Sequence, residues 1–274
     1  MDERAERLVH RVEYTRFWPG VLAAIRRRQV VPLGLVLGRT SHHIRNVMAL
    51  VIFVRHGQTD DNVSGRISGQ GPVPLNTRGQ EQARLVGEVL VPLGVTRLLS
   101  SPVARAWQTA EILATHLQLQ IEPVPDLREV GYGDWEGQRF SDIRSEPAAH
   151  QVMHNPIQAV FPNGESLLGV QQRGVRTVEW VHRTSPGAVT VLVSHGDVIR
   201  TTLAHYLGMT FNDYRRIAID NGALSVVELV DHWIRVKAVN FVPQVGNLEL
   251  ESFYDTWHKT QTLVNAQAVS ASAT

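Results

Sequence analysis

Two distant segments share one layout, an apolar run that ends in a histidine-glycine pair and a turn. They are Val51-Ile52-Phe53-Val54-Arg55-His56-Gly57 and Val191-Leu192-Val193-Ser194-His195-Gly196. Runs this apolar read as strands buried on both faces, which belong to parallel sheets covered by helices on each side. The segments between them have helical period. Residues 77–93 place Ala83, Val86, Leu90 and Leu93 on one stripe, and residues 102–117 do the same with Ala106, Ala110, Leu113 and Leu117. Ser101 then Pro102 reads as the start of the second helix, a capping hydroxyl followed by proline at the first helical position.

The alternation continues along the chain. Residues 97–100 and 121–124 read as short strands, and residues 140–183 as helical, broken at Phe161-Pro162-Asn163-Gly164. A helix follows over 197–207, then two late strands, 223–230 and 233–239, around an Asp231-His232 turn. Strands alternating with helices predict an α/β fold, a three-layer αβα sandwich with a mostly parallel central sheet.

Upstream of Met48 the pattern differs. Residues 1–47 form an arginine-rich arm with scattered aromatics, partly helical or disordered, and a start of translation at Met48 is an alternative. Arg26-Arg27-Arg28 suits an acidic partner or a membrane surface, but composition favours a solvated arm. His42-His43 in such an arm is an incidental pair before it is a metal site. Residues 246–274 read as a C-terminal extension ending in a frayed tail.

Composition narrows the function classes. A net charge of +1 over 274 residues gives no global attraction for nucleic acid, so any anion binding must be local. The chain has no cysteine, which excludes disulfides, thiol nucleophiles and thiolate metal sites. No run approaches the roughly 20 apolar residues of a membrane span. Asp2, Glu3 and Glu6 stand where a secretory signal would be basic, so the expected location is cytoplasmic.

In an open parallel sheet, ligands bind beyond the carboxyl ends of the strands, so His56 and His195 are expected at one edge. A glycine after each allows a sharp turn and close approach to a ligand. Arg55 adjoins His56, and Arg105 lies in the first turn of a helix that follows a strand. Guanidinium forks match phosphate oxygens. Singly, each of these residues is an ordinary strand-end or surface group; together they describe an anion site. A carboxyl group near the cluster can protonate a leaving alkoxide, and spacing leaves Glu129 and Glu136 both open.

At this level of detail the chain resembles a known family. Arg55-His56-Gly57-Gln58-Thr59 with Asn62, Leu75-Asn76-Thr77-Arg78-Gly79 with Gln82-Ala83, and Ser100-Ser101-Pro102 with Arg105 and Gln108-Thr109-Ala110 resemble the histidine phosphatase (phosphoglycerate mutase-like) superfamily. Gly131 to Gly137, Pro162-Asn163-Gly164-Glu165-Ser166 and Ser194-His195-Gly196-Asp197-Val198-Ile199-Arg200 complete the likeness, which covers about residues 49–240. The resemblance implies a catalytic domain over 48–245 with a phosphoglycerate mutase-like fold. It implies His56 as a nucleophile that becomes phosphohistidine, and Arg55, Arg105 and His195 as binders of the transferring phosphoryl group, with Asn62 assisting. Glu129 matches the proton donor of the broad-specificity and α-ribazole phosphatase branch; Thr59 and Gly196 are further substrate-binding candidates.

The implied reaction is hydrolysis of a small phosphorylated metabolite, with no metal or cofactor and with no nucleic-acid partner. The alternatives are mutase-type phosphotransfer and a phosphate-ester-binding module without turnover. Glu129-Val130-Gly131-Tyr132-Gly133-Asp134-Trp135 looks like the phosphatase branch, since the mutases have a glutamate-arginine-histidine-tyrosine segment there. Gln58 and Asn163 depart from the family pattern without removing a catalytic role. The segment 70–74 lacks the aspartate often found there, which leaves the contacts of that loop open. Oligomeric state stays open, a homodimer among the alternatives.

Overall fold

A computed structural model describes residues 48–230 and 233–244. Six strands form one sheet: β1 (Met48–Arg55), β2 (Arg97–Ser100), β3 (Ile121–Pro123), β4 (Val189–Ser194), β5 (Leu224–Val230) and β6 (Trp233–Phe241). Their order is β3-β2-β4-β1-β5-β6. The first four neighbours run parallel; β5 and β6 add an antiparallel edge. The helices are α1 (Asp60–Ser64), α2 (Thr77–Leu90), α3 (Ala104–Leu117), α4 (Phe140–Ile143), α5 (Pro147–His154), α6 (Leu167–Thr184) and α7 (Gly196–Tyr206).

The three layers follow from the period-two geometry of β1. Leu50, Ile52 and Val54 face a core built with Val86 and Leu90 of α2 and Ala106, Ala110 and Leu113 of α3. Ala49, Val51 and Phe53 face the opposite core, shared with Val170 and Val178 of α6 and Val198, Ile199 and Leu203 of α7. Each face is covered, which is why the strand has no polar residue before Arg55. The α/β, mostly parallel expectation holds. Among the described residues no helix is long and apolar enough to cross a membrane.

Boundaries moved where proline or a side chain competed with the backbone. Helix α2 stops at Leu90, and Val91–Leu93 make one 3₁₀ turn, because Pro92 cannot continue the helical ladder. Helix α3 begins at Ala104, two residues after the expected start. Its N-cap is Val103, which provides no side-chain bond. The Ser101 hydroxyl accepts from the Val103 amide at 3.2 Å but also bonds His195, so the expected cap is part of the sheet-edge cluster instead. Helix α1 was not foreseen, since it has no apolar stripe; a reciprocal capping box between Thr59 and Asn62 starts it. The helical pattern over 140–183 divides at Pro147, the first residue of α5, and again at the 161–164 turn. The arm 1–47 with His42-His43, the Asp231-His232 turn and the extension 246–274 lie outside the described residues.

The loop after β1 is locked onto the first turn of α2. A Cβ on Gly57 would stand 2.2 Å from the Gly79 carbonyl oxygen, and one on Gly79 would stand 2.1 Å from that of Gln58. The Gln58 carbonyl accepts from the Asn76 amide at 3.0 Å, and the Gln58 amide donates to Gln82 Oε1 at 2.9 Å. Neither backbone can yield without losing these bonds. Gly79→Ala is therefore expected to lower stability by about 1–3 kcal/mol, the range for overpacking. Urea unfolding measures it, and an unchanged midpoint would show that the loop gives way freely.

Candidate active site

The pairing of β1 with β4 places Arg55 opposite Ser194, so the next residues, His56 and His195, leave adjacent strands side by side. Their rings are tilted, with centroids 5.1 Å apart. His56 Nδ1 lies 2.7 Å from the Gly57 carbonyl oxygen, an acceptor, so Nδ1 carries the proton. Arg105 Nε donates to His56 Nε2 at 3.1 Å, so that nitrogen is unprotonated and its lone pair accepts from the guanidinium. Burial lowers the His56 pKa well below 6.5, and the Arg105 and Arg55 charges add to it; the Gly57 bond opposes them. His56 is a neutral, oriented imidazole.

His195 is fully buried and also held neutral, by burial first and then by Arg105 and His56. Its Nε2 lies 2.8 Å from Ser101 Oγ. With the Val103 amide donating to that oxygen, the hydroxyl can give its proton to His195 Nε2, the arrangement in which Nδ1 bears the ring hydrogen. His195 Nδ1 and Arg55 Nε are buried without a hydrogen-bond partner among the described residues. Arg55 is anchored instead by donation to the Ile219 carbonyl at 2.5 Å. Gly196 lies against it; a Cβ there would come within 3.5 Å of Arg55 Nε. Arg105 donates to the Gly69 carbonyl at 2.7 Å. Burial pushes both guanidiniums below their ordinary pKa, with Glu129 opposing.

A cavity of about 430 Å³ opens over this cluster, within the usual range for small-molecule sites. Arg55, His56, Asn62, Arg105 and Glu129 line it. Glu129 is only 8% exposed; burial and the nearby Asp197 raise its pKa above 4.5, while Arg105 opposes. One Glu129 oxygen accepts from the Val130 amide at 3.0 Å. Glu136 is separated from it by position: its Oε1 accepts from the amides of Gln70 and Tyr132, both at 3.2 Å, and braces a loop. Thr59 is fully buried and donates to Asn62 Oδ1 at 3.1 Å, so it holds Asn62 and does not line the cavity.

Several lining residues were not singled out from sequence. Tyr132 donates to Asp197 Oδ2 at 2.7 Å, and Asp197 pairs with Arg200 one turn along α7. Arg66 and Arg215 also reach the cavity. The spacing of Asp197 and Arg200 on the helix after His195 was a legible signal. Nothing local marked Arg215, which arrives from a 3₁₀ segment, Phe211–Arg216. Among the described residues no group of three His, Asp or Glu side chains could hold a metal ion.

His195 and Gly196, unlike His56, Arg55, Arg105 and Glu129, are not among the residues that line the cavity. Two neutral histidines at one sheet edge, two buried arginines and a protonatable carboxyl match a known pattern. The model of the histidine phosphatase superfamily, branch 1, matches residues 51–242. The chain belongs to the histidine phosphatase superfamily. Its enzyme class is that of the phosphomonoesterases. The adenosylcobalamin/alpha-ribazole phosphatase of Escherichia coli K12 is 29% identical over 68% of this chain and 93% of its own length. An uncharacterized phosphatase, PhoE, of Bacillus subtilis is 31% identical over 70% and 95%. A probable phosphoglycerate mutase, GpmB, of Cronobacter sakazakii is 31% identical over 66% and 85%. Among solved structures, a mycobacterial glucosyl-3-phosphoglycerate phosphatase with VO3 superposes with a TM-score of 0.64, at 27% identity over 70% of this chain and 98% of that one.

The ionisation of this histidine phosphatase site has a cost in stability. A carboxyl whose folded pKa is raised contributes stability that is present below its unfolded pKa and lost as pH rises through the folded value. Glu129→Gln keeps the acceptor for Val130 and cannot ionise. The variant is expected to melt at a higher temperature than the parent at pH 8, with the difference vanishing near pH 4. Thermal unfolding at the two pH values measures it; a variant less stable at pH 8 would mean that Glu129 is stabilising as a carboxylate.

Proposed function

We propose that this enzyme hydrolyses a small phosphomonoester through a phosphohistidine formed on His56 Nε2. The observation that carries the reading is the orientation of His56. Its Nδ1–H is held by the Gly57 carbonyl, and its lone-pair nitrogen faces the Arg105 guanidinium. Neutral imidazole is the attacking form, and the fixed Nδ1–H···O bond offsets the positive charge that develops on the ring.

In the first step Nε2 forms a bond to phosphorus and the bond to the ester oxygen breaks. Glu129, whose pKa is raised by burial, gives its proton to the leaving oxygen. In the second step the Glu129 carboxylate takes a proton from water, whose oxygen bonds to phosphorus as the nitrogen–phosphorus bond breaks. Phosphate leaves, and His56 and the protonated Glu129 are restored. Charge on the equatorial oxygens would be met by Arg55, Arg105 and the His195 Nδ1–H. Asn62 Oδ1 accepts from Thr59 and from Asn221, the latter at 3.1 Å, which fixes the amide and leaves Nδ2 for a phosphoryl oxygen.

Mutase-type transfer is the second reading, favoured by the GpmB relatives. There the acceptor would be another alcohol, not water. The two separate on 3-phosphoglycerate and an aryl phosphate: hydrolysis releases inorganic phosphate from the aryl ester, whereas isomerisation without phosphate release would overturn the proposal. Neither activity would favour a binding module.

His56→Ala is expected to abolish turnover and acid-labile labelling by substrate phosphate; retained activity refutes the nucleophile assignment. Arg105→Ala is expected to lower kcat by about 10²–10³, by analogy with loss of one donor to a developing oxyanion. Glu129→Gln is expected to impair alkyl phosphates more than aryl phosphates, whose leaving groups need no proton. In the parent, kcat/KM on an alkyl ester should fall as pH rises through the raised Glu129 pKa, and the variant should lose that limb. Equal losses on both ester types would remove Glu129 from the acid role.

A further inference from the structure

The cavity wall carries more positive charge than one phosphoryl group calls for. Five guanidiniums line it, from Arg55, Arg66, Arg105, Arg200 and Arg215, against the carboxyls of Glu129 and Asp197. Asp197 is engaged by Arg200 and accepts from Tyr132 as well. A phosphoryl dianion would answer Arg55 and Arg105. Arg66 and Arg215 then remain, with no carboxylate partner among the described residues. The acids near them in sequence are otherwise occupied: Asp213 pairs with Arg216 at 3.0 Å, and Asp61 accepts from Ser68 at 2.9 Å.

An exposed arginine is ordinarily a solvated one, but both of these are held in place. Arg66 donates to the Gly137 carbonyl at 2.8 Å, and its backbone pairs with that of Arg139. Arg215 donates to the Tyr214 hydroxyl at 2.9 Å, lies 5.4 Å from the Tyr214 ring centre and reaches the Met153 sulfur. A guanidinium fixed this way has already lost rotamer freedom, so less is lost when it binds an anion. The same wall contributes Ile67, Phe140, Met153 and Phe161, an apolar surface for the body of a substrate. At about 30 Å³ per water the cavity holds roughly fourteen water volumes, far more than one phosphoryl group needs.

We infer that the cavity takes a phosphomonoester bearing a second anionic group, carboxylate or phosphate, on an apolar spacer, and that Arg66 and Arg215 bind that second anion. Only the phosphoryl end of this inference rests on the proposed hydrolysis. Binding therefore tests it apart from turnover. Non-hydrolysable alkyl phosphonates with two to six methylenes and a terminal carboxylate are compared by calorimetry with their methyl esters, beside a parallel series of α,ω-bisphosphonates.

The parent protein is expected to bind the best diacid at least tenfold more tightly than its ester. In the Arg66→Gln/Arg215→Gln double variant the ratio should fall to within twofold. The ratio cancels any general loss of fold quality, and the preferred series tells carboxylate from phosphate. Equal affinity for diacid and ester in the parent, or a preference that survives in the double variant, overturns the inference. Absence of binding by every phosphonate overturns it together with the anion cage. Failure of the hydrolytic reading appears elsewhere, as no phosphate release in the turnover assay, and leaves the affinity ratio readable.

Discussion

The parallel pairing of β1 with β4, Arg55 opposite Ser194, is the constraint on which the site depends. It brings together two histidines 139 positions apart in the chain, and it does so at the end of the most deeply buried part of the sheet. Burial then does two things at once. It removes the imidazoles from water, which disfavours their protonated forms, and it lets the Arg55 and Arg105 charges act across little solvent. A surface histidine would be partly protonated near pH 6.5 and screened; this pair stays neutral. The same burial weakens the fold in acid, because a histidine that must stay neutral when folded binds more protons when unfolded, so stability falls below about pH 6.5.

Glu129 meets the opposite demand with the same physics. Desolvation raises a carboxyl pKa just as it lowers that of an imidazole, so burial at one cavity wall shifts His56 and Glu129 both toward their neutral forms. Asp197 differs in its partners, because Arg200 and Tyr132 meet it from two sides. Its negative charge is a further reason for Glu129 to keep a proton. The two carboxyls on one wall thus stand in different environments, Asp197 between Arg200 and Tyr132 and Glu129 desolvated with the Val130 amide as a donor.

The buried strands were legible because period and composition are local properties. Arg97–Ser100 was located to the residue, and the apolar runs Val51–Val54 and Val191–Val193 lie inside β1 and β4. Arg55, His56, Arg105 and His195 could be placed at one sheet edge from sequence because each ends a strand, directly follows one or lies in the first turn of a helix. Less of the cavity wall could be read. Arg215 reaches it from a 3₁₀ segment far along the chain, and Arg66 from a loop, with no spacing rule that ties either to His56. The choice between Glu129 and Glu136 was also undecidable from spacing, since both lie in one loop and only the backbone path turns the first inward and ties the second to Gln70 and Tyr132.

Ser101 shows why local rules fail at such a site. By capping rules its hydroxyl belongs to the first turn of the following helix, where it would be worth about 1 kcal/mol. Instead α3 starts two residues later on Val103, which offers no side-chain oxygen. The hydroxyl is turned to His195 Nε2, and donation there would leave the ring proton on Nδ1. Only the Nδ1–H tautomer leaves a donor for a phosphoryl oxygen, and in neutral imidazole nothing but such a partner fixes the choice. A helix start without a side-chain cap is thus the local counterpart of an oriented His195. The departure from the capping rule falls at the cluster, where a side chain is worth more to the chemistry than to its own helix.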